Sequence, residues 1–272
     1  MKKILVPTDF SEQANYALKA AAKIAKQTKG TIYLLHMIDI PDLQGFKEEA
    51  SIPEIVFFKK ISEQKLNDQA NQSFLKDIEV HKLLKLLKTF KGVQEVSKDY
   101  DIDLIIMGSH GASGMKEFLI GSNTEKVVRT SEVPVLVIKG KIENIELKNI
   151  TFASNYELKD KPNYISAVKI AKTFKATLNL LYINTPSNFN TTTYIEQKMA
   201  TFDGEYSKIK KYIYNDFSIE KGVLNFNEKN NADLTIINTN GRTGIAHFFN
   251  GSISEDLVNH SDRPILTFKI KK

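Results

Sequence analysis

The sequence contains no cysteine among its 272 residues. Disulfide frameworks and thiolate metal sites are therefore excluded. No uninterrupted apolar run approaches the roughly 20 residues that a membrane-spanning helix requires. The N-terminal stretch "MKKILVPTDF" contains neither an apolar signal core nor a cleavage site. We therefore expect a cytoplasmic protein with no membrane partner.

Positive charge is in moderate excess, with 38 lysines and arginines against 32 aspartates and glutamates. The lysines are interspersed with acidic residues in both halves, and no basic stripe carries the interleaved aromatic residues that stack on bases. Solvated lysine-rich helix faces explain the excess better than a nucleic-acid site does. Nucleic acid is thus a disfavoured partner, although weak attraction to a phosphate backbone stays open.

An internal repeat indicates how the chain is organised. The segment "IMGSHGASGMKEFLIGSNTEKVVRTSEVPVLVIK" aligns without a gap with "IINTNGRTGIAHFFNGSISEDLVNHSDRPILTFK". The starts of the two halves also align, "ILVPTDFS" with "ITFASNYE". We predict two copies of one domain, residues 1–142 and 143–272. The first copy is longer in its middle, and we expect its extra residues, around "IPDLQGFKEEASIPEIVFF", to form an excursion over that domain.

Within each copy the apolar period alternates between strand and helix. In the first copy, Ser11 is the expected cap of a helix that ends near Gly30. The predicted strands are "KILVPT", "TIYLLHMI", "IEVHKLL", "LIIMG" and "PVLVIK", and the further helices are 61–76, "FKGVQEVSKDYD" and "TEKVVRTS". Such alternation, with strands apolar on both faces, predicts an α/β fold with a mostly parallel sheet covered by helices. Ligands of such sheets bind beyond the carboxyl ends of the strands.

Glycines are concentrated after the fourth predicted strand, at Gly108, Gly111, Gly114 and Gly121. Backbone N–H groups can hold a phosphate only where no β-carbon blocks the approach. Gly121 and Ser122 precede a predicted helix, so we expect them to present unpaired N–H groups and the positive end of its dipole. The spacing is neither that of the Walker loop nor that of the dinucleotide fingerprint. The alternative is that these glycines serve turns and helix packing.

The Gly108, Gly111, Gly121, Ser122 pattern, together with "PTDFS", "LLHMID" and "VPVLVIK", resembles the universal stress protein family in its tandem two-domain form. The resemblance implies two doubly wound domains, each with a five-stranded parallel sheet, of the flavodoxin-like or adenine-nucleotide-hydrolase-like type. It also implies ATP as the ligand, and Mg²⁺ could arrive with the nucleotide. The residues that it assigns to the nucleotide are Pro7, Thr8, Asp9, Met37, Met107, Gly108, Gly111, Gly121, Ser122 and Asn123.

Several of these residues have a structural alternative. Asp9 could support the turn before the cap Ser11 as well as contact the ligand. His36 is expected to be a hydrogen-bonded structural histidine. His110 could face solvent or a phosphate, and the residues do not decide between the two. The histidines show no metal-ligand spacing, and no serine lies in a nucleophile elbow, so no catalytic or metal-binding residue is predicted.

The second half departs from the pattern. Asn238 replaces Gly108, and Asn155 replaces Asp9, whereas Gly241, Gly251 and Ser252 are retained. Because the asparagine side chain is expected to crowd the ligand, we predict that the first domain binds nucleotide and that the second binds it weakly, differently or not at all. Asn155, Gly241, Gly251 and Ser252 are the second domain's weaker candidates.

Duplication suggests a purpose for the last strand of each copy. A parallel sheet leaves that strand with an open edge, which is an aggregation hazard. We expect "VPVLVIK" to pair antiparallel with "RPILTFK", which gives an intramolecular pseudo-dimer. Homodimerisation stays open.

Three functions remain in play. The favoured one is a non-enzymatic stress-response sensor or interaction switch, with adenine nucleotide as ligand and a protein partner of unknown identity. The alternatives are an enzyme that hydrolyses ATP slowly and a nucleotide-free structural adaptor.

Overall fold

The computed structural model describes residues 1–38, 52–86, 89–109, 121–140, 146–202, 204, 206–239 and 257–270. Strands of the first half are β1 (Lys3–Pro7), β2 (Thr31–Met37), β3 (Val80–Lys85), β4 (Leu104–Gly108) and β5 (Val135–Ile138). Those of the second half are β6 (Asn149–Ala153), β7 (Thr177–Asn184), β8 (Ile209–Asn215), β9 (Leu234–Thr239) and β10 (Ile265–Lys269).

Seven helices connect these strands in the described part of the chain. The first half contributes α1 (Glu12–Thr28), α2 (Ile52–Ala70), α3 (Thr89–Asp99) and α4 (Ser122–Thr130). The second half contributes α5 (Lys161–Phe174), α6 (Thr192–Ala200) and α7 (Ile219–Lys229). Residues 257–260 are also helical. Short 3₁₀ turns occur at Ser73–Leu75 and Leu158–Asp160. No helix in the described ranges is long and apolar enough to cross a membrane.

The strands form one ten-stranded sheet in the order β3-β2-β1-β4-β5-β10-β9-β6-β7-β8. Within each half all pairings are parallel, as predicted. The order reverses direction between β1 and β4, and between β6 and β9. These are the switch points at which ligands of doubly wound sheets bind.

The two halves join through the antiparallel pairing of β5 with β10, in which Leu136 lies opposite Leu266. The predicted cover for the open sheet edges is therefore confirmed. The lysine at the end of each joining strand contacts the other half of the protein. Lys269 pairs with Glu132 of the first half, and Lys139 donates to the carbonyl of Asn259 in the second. Two apolar layers, one on each face of the sheet, run through both halves.

Helix α1 begins as its sequence predicts, because the Ser11 hydroxyl accepts the N–H of Ala14. Its apolar face, which includes Ala17, Ala21 and Ile24, is buried against the sheet. The helix ends differently in one detail: the left-handed capping residue is Lys29 (φ 51°) and not Gly30. Gly30 is still constrained, since a β-carbon there would lie 2.9 Å from the Lys2 carbonyl oxygen.

Helix α2 differs more from expectation. It spans Ile52–Ala70 where a helix over 61–76 was predicted, so part of the expected excursion is helix. Three of its apolar residues remain exposed: Val56, Phe57 and Phe58. The rest of the excursion, 40–51, and the predicted domain boundary at 142–143 lie outside the described residues.

Candidate functional site

The predicted site residues of the first half meet at one edge of the sheet. Pro7 ends β1, Met37 ends β2, and Met107 and Gly108 end β4, with β1 between the other two strands. Because the three strands are parallel, their carboxyl ends lie side by side. This edge contains the switch point between β1 and β4, where a nucleotide site is expected.

The start of α4 is fastened to the same edge by two hydrogen bonds. The Gly121 N–H donates to the Ser109 carbonyl at 2.7 Å, and the Thr124 hydroxyl donates to the Gly108 carbonyl at 2.9 Å. Ser122 and Asn123 are exposed in the first turn, and the first intrahelical bond is donated by Glu125. The N–H groups of this turn are therefore held beside the end of β4.

Two details of the glycine interpretation change. The N–H of Gly121 is already paired with Ser109, so the expectation that it is unpaired is wrong, and the helix-end donors are those of Ser122 and Asn123. At Gly108, a β-carbon would lie 2.8 Å from the backbone carbonyl carbon and oxygen of Gln13 in α1. Glycine is required there by the packing of α1 on β4, which is the alternative considered from the sequence. Gly111 and His110 lie outside the described residues.

The turn after β1 is built by side-chain hydrogen bonds. Asp9 is exposed, and its Oδ1 accepts the Ser11 N–H at 3.0 Å. The hydroxyl of buried Thr8 accepts the Phe10 N–H and donates to Gln69 of α2, both at 3.0 Å. Asp9 thus supports the turn while its carboxylate faces outward at the sheet edge. Thr8 fixes the turn to α2.

His36 is a structural histidine, as expected. Its Nδ1 lies 2.8 Å from the Thr8 carbonyl oxygen, and its ring lies 4.3 Å from the Phe10 ring, centroid to centroid. Burial lowers the pKa of His36 below its usual 6.5, although the Thr8 carbonyl and Asp9 oppose that shift. The neutral imidazole therefore packs behind the turn and holds it against β2.

Met37 and Met107 are buried, with 8 % and 5 % exposed, in the apolar layer beneath α3 and α4. Their side chains therefore support the edge from below. Within the described ranges, no group of three or more histidine, aspartate or glutamate side chains could hold a metal ion.

The second half arranges the corresponding edge differently. Asn155 is buried with 6 % exposed, and its amide donates to Glu157 at 2.8 Å, whereas Asp9 faces outward. Asn238 was expected to crowd a ligand, but its side chain is directed into the protein. Its side chain is 1 % exposed, and its amide oxygen accepts a hydrogen bond from the Asn163 amide of α5 at 2.9 Å. Gly241, Gly251 and Ser252 lie outside the described residues.

Three contacts of the site were not anticipated from the sequence. They are the contacts of Thr8 with Gln69, of Thr124 with Gly108 and of Gly121 with Ser109. A threonine in the first turn of a helix is a usable signal, because hydroxyls often bond backbone groups at helix starts. The Thr8–Gln69 contact spans 61 positions and carries no local signal.

Comparisons with known proteins agree with this architecture. The profile of the universal stress protein family matches residues 1–139 and 166–269. Universal stress protein MJ0577 of Methanocaldococcus jannaschii is 34% identical over 155 residues, which cover 52% of this chain and 96% of that protein. Universal stress protein YxiE of Bacillus subtilis is 27% identical over 152 residues, covering 50% of this chain and 98% of that protein.

Among solved structures, a universal stress protein from Archaeoglobus fulgidus superposes with a TM-score of 0.79 at 20% identity. The superposition covers 99% of this chain and 98% of that one, so the tandem fold is shared from end to end. With the family profile matched in both halves, the chain belongs to the universal stress protein family.

Proposed function

We propose that this protein binds an adenine nucleotide, ATP, at the carboxyl edge of the first half of its sheet, and that it acts as a stress-response sensor or interaction switch. The observation that carries the proposal is the attachment of the α4 N-terminus to the end of β4 at the switch point. Family membership supports the nucleotide, because relatives with this glycine pattern are expected to bind ATP.

The phosphates belong at the first turn of α4. The N–H groups of Ser122 and Asn123, the Ser122 hydroxyl and the helix dipole all favour an anion there. Charge-assisted hydrogen bonds contribute about 1.5 to 3 kcal/mol each, so three of them supply much of the roughly 8 kcal/mol that a micromolar ligand needs. The nucleoside then lies across the ends of β1 and β2, beside Asp9.

The second half is the weaker site in this proposal. Its Asn155 is turned inward and bonded to Glu157, so the outward-facing carboxylate of the first half has no counterpart at that position. We expect one nucleotide per chain. We also propose that binding, and not turnover, is the activity.

Calorimetric titration of the full chain with ATP and Mg²⁺ tests the proposal, using Ser122→Asp and its sequence counterpart Ser252→Asp as a matched pair. An aspartate in the first turn favours the helix dipole, so folding is expected to be retained. The same charge repels the phosphates, and we expect Ser122→Asp to weaken ATP binding about tenfold or more.

Ser252→Asp is expected to leave the affinity unchanged. Equal weakening by both substitutions would place nucleotide in both halves, and no saturable binding to the unmodified chain would reject the proposal. Phosphate release measured in parallel, with Gly121→Asp as control, tests turnover. Release that disappears in that variant would favour the hydrolytic alternative.

A further inference from the structure

A polar cleft lies between the start of α1 and the carboxyl-terminal part of α2, with a volume of about 550 Å³. It shares no lining residue with the nucleotide site proposed above. It lies on the face of the sheet that α1 and α2 cover, next to Thr8, which contacts Gln69. The residues that line it and matter for its chemistry are Phe10, Asn15, Lys65, Asp68 and Gln69.

Two amide side chains line this cleft, and one of them has a buried atom without a partner. Gln69 is only 6 % exposed, and Thr8 binds one end of its amide. The other end, Nε2, is a hydrogen-bond donor. The Oδ1 atom of Asn15 is buried and lacks a donor among the residues that the structure describes. Because an unpaired buried polar group is unfavourable, a ligand that donates a hydrogen bond to Asn15 Oδ1 gains affinity here.

Opposite charges flank these amides. Lys65 and Asp68 are three residues apart on α2 and therefore share a helix face. Neither forms an ion pair with any residue that the structure describes. The Lys65 ammonium instead lies 5.5 Å from the centre of the Phe10 ring. A positive and a negative group held side by side without neutralising each other suit a ligand that carries both charges.

The fold does not require this opening. In the second half, Tyr156 takes the place of Phe10 in the repeat, and its ring packs 5.1 Å from that of Phe202, which follows α6. Tyr164 of α5 packs 5.4 Å from the same ring. These three aromatic side chains are buried and fill the space between the first two helices of that half. The region that is an open cleft in the first half is therefore closed by aromatic packing in the second.

We propose that this cleft binds a small zwitterion of the α-amino acid class. The ligand ammonium contacts the Asp68 carboxylate and Asn15 Oδ1, and the ligand carboxylate contacts the Lys65 ammonium and Gln69 Nε2. Gln69 also accepts a hydrogen bond from the hydroxyl of Thr8, the residue after β1. Gln69 therefore connects the ligand with the end of that strand. The proposal does not depend on nucleotide binding.

Calorimetric titration of the nucleotide-free full chain with L-glutamine tests the proposal. This probe carries the two charges and an amide of its own. We expect saturable binding of one molecule per chain, weakened about tenfold or more by Asn15→Leu and by Lys65→Met, as expected for loss of a charge-assisted hydrogen bond. Lys60→Met, on the same helix outside the cleft, is the matched control and should leave binding unchanged.

Asn15→Leu should also keep or raise the melting temperature, since it removes a buried acceptor without a partner. If that variant does not fold, Lys65→Met still decides, because its side chain is exposed. No saturable binding up to roughly 50 mM, or equal affinity of both variants with the unmodified chain, would overturn the proposal. Equally tight binding of glutaramate, which lacks the ammonium, would reject the zwitterion.

Discussion

The turns that follow β1 and β6 have the same backbone path but different surroundings. Phe10 and Tyr156, the equivalent residues, both adopt positive φ angles, 66° and 55°. Such angles are unusual for large side chains and show that the turn is imposed by its neighbours. In the first half the turn leaves a polar cleft and an exposed Asp9. In the second, aromatic packing closes the same region, and Asn155 is turned inward.

This difference shows how a duplicated domain can divide its tasks. Burial of Tyr156, Tyr164 and Phe202 stabilises the second half, because large aromatic side chains contribute both apolar area and edge-to-face contacts. The same volume in the first half is lined by polar side chains, which contribute little to stability but can bind a ligand. We therefore expect the second half to be the more stable support of the sheet that both halves share.

The largest expected effect comes from Phe202→Ala. Phe202 is fully buried between Tyr156 and Tyr164, so its removal leaves a cavity in the second half. We expect the free energy of unfolding to fall by about 4 kcal/mol. Phe10→Ala should cost about 1 to 2 kcal/mol, because that ring borders an open cleft. Urea denaturation measures both.

Phe189→Ala is the control for this comparison, since Phe189 is 71% exposed and should tolerate the change. Equal losses for Phe10→Ala and Phe202→Ala would show that the two turns are packed alike. The proposed division between a binding half and a supporting half would then be wrong.

The repeat predicted most of the architecture because its signals are local. Ser11 marked the start of α1, and apolar runs marked the strands, including the two that join the halves. Contacts between distant elements were not predictable in this way. The turn after β1 is contacted by Gln69 of α2, and the turn after β6 is contacted by Phe202, which follows α6. Both contacting residues lie far from their turns in sequence.

The candidate site shows the same limit. The glycine-rich segment predicted a site at the carboxyl edge of the sheet, and the start of α4 is fixed at that edge. At Gly108 the atoms that exclude a β-carbon belong to Gln13 of α1, so the packing alternative explains this glycine. The expectation for Asn238 overlooked another distant contact, since its side chain accepts a hydrogen bond from Asn163 of α5.

Gly108 and Asn238 provide the second test of the comparison. Gly108→Ala places a β-carbon 2.8 Å from backbone atoms of Gln13, so α1 must shift, and we expect a loss of about 2 kcal/mol in the free energy of unfolding. Asn238→Ala removes the acceptor of Asn163 and should cost about 1 kcal/mol. In the second half the helix proper begins only at Lys161, after a 3₁₀ turn.

Both losses are measured by urea denaturation, with Gly140→Ala as a contrast. A β-carbon at Gly140 would meet no described atom within 4 Å, but the residue has a φ of +63°, so the cost of that change arises from backbone strain alone. A Gly108→Ala variant as stable as the unmodified chain would mean that α1 does not press on β4.

The smallest expected change in the free energy of unfolding comes from the two lysines at the junction of the halves. Burial lowers the pKa of Lys139 to about 8, although Asp262 partly opposes the shift, whereas Lys269 pairs with Glu132. Between pH 8 and the usual pKa of 10.5, the unfolded chain holds the Lys139 proton more tightly than the folded chain does. This lysine therefore makes the free energy of unfolding rise with pH in that window, and its unfavourable contribution is complete below pH 8.

Lys139→Met should consequently stabilise the protein at pH 7 by about 1 kcal/mol, after allowance for solvent screening of a partly exposed group. That gain should shrink when the same measurement is made at about pH 9.5, inside the window in which the folded chain releases the proton. Lys269→Met should instead lose up to about 1 kcal/mol, because it breaks a partly exposed ion pair. A stabilisation by Lys139→Met that does not change with pH would show that the gain comes from apolar packing, and that the Lys139 charge carries no penalty at the junction.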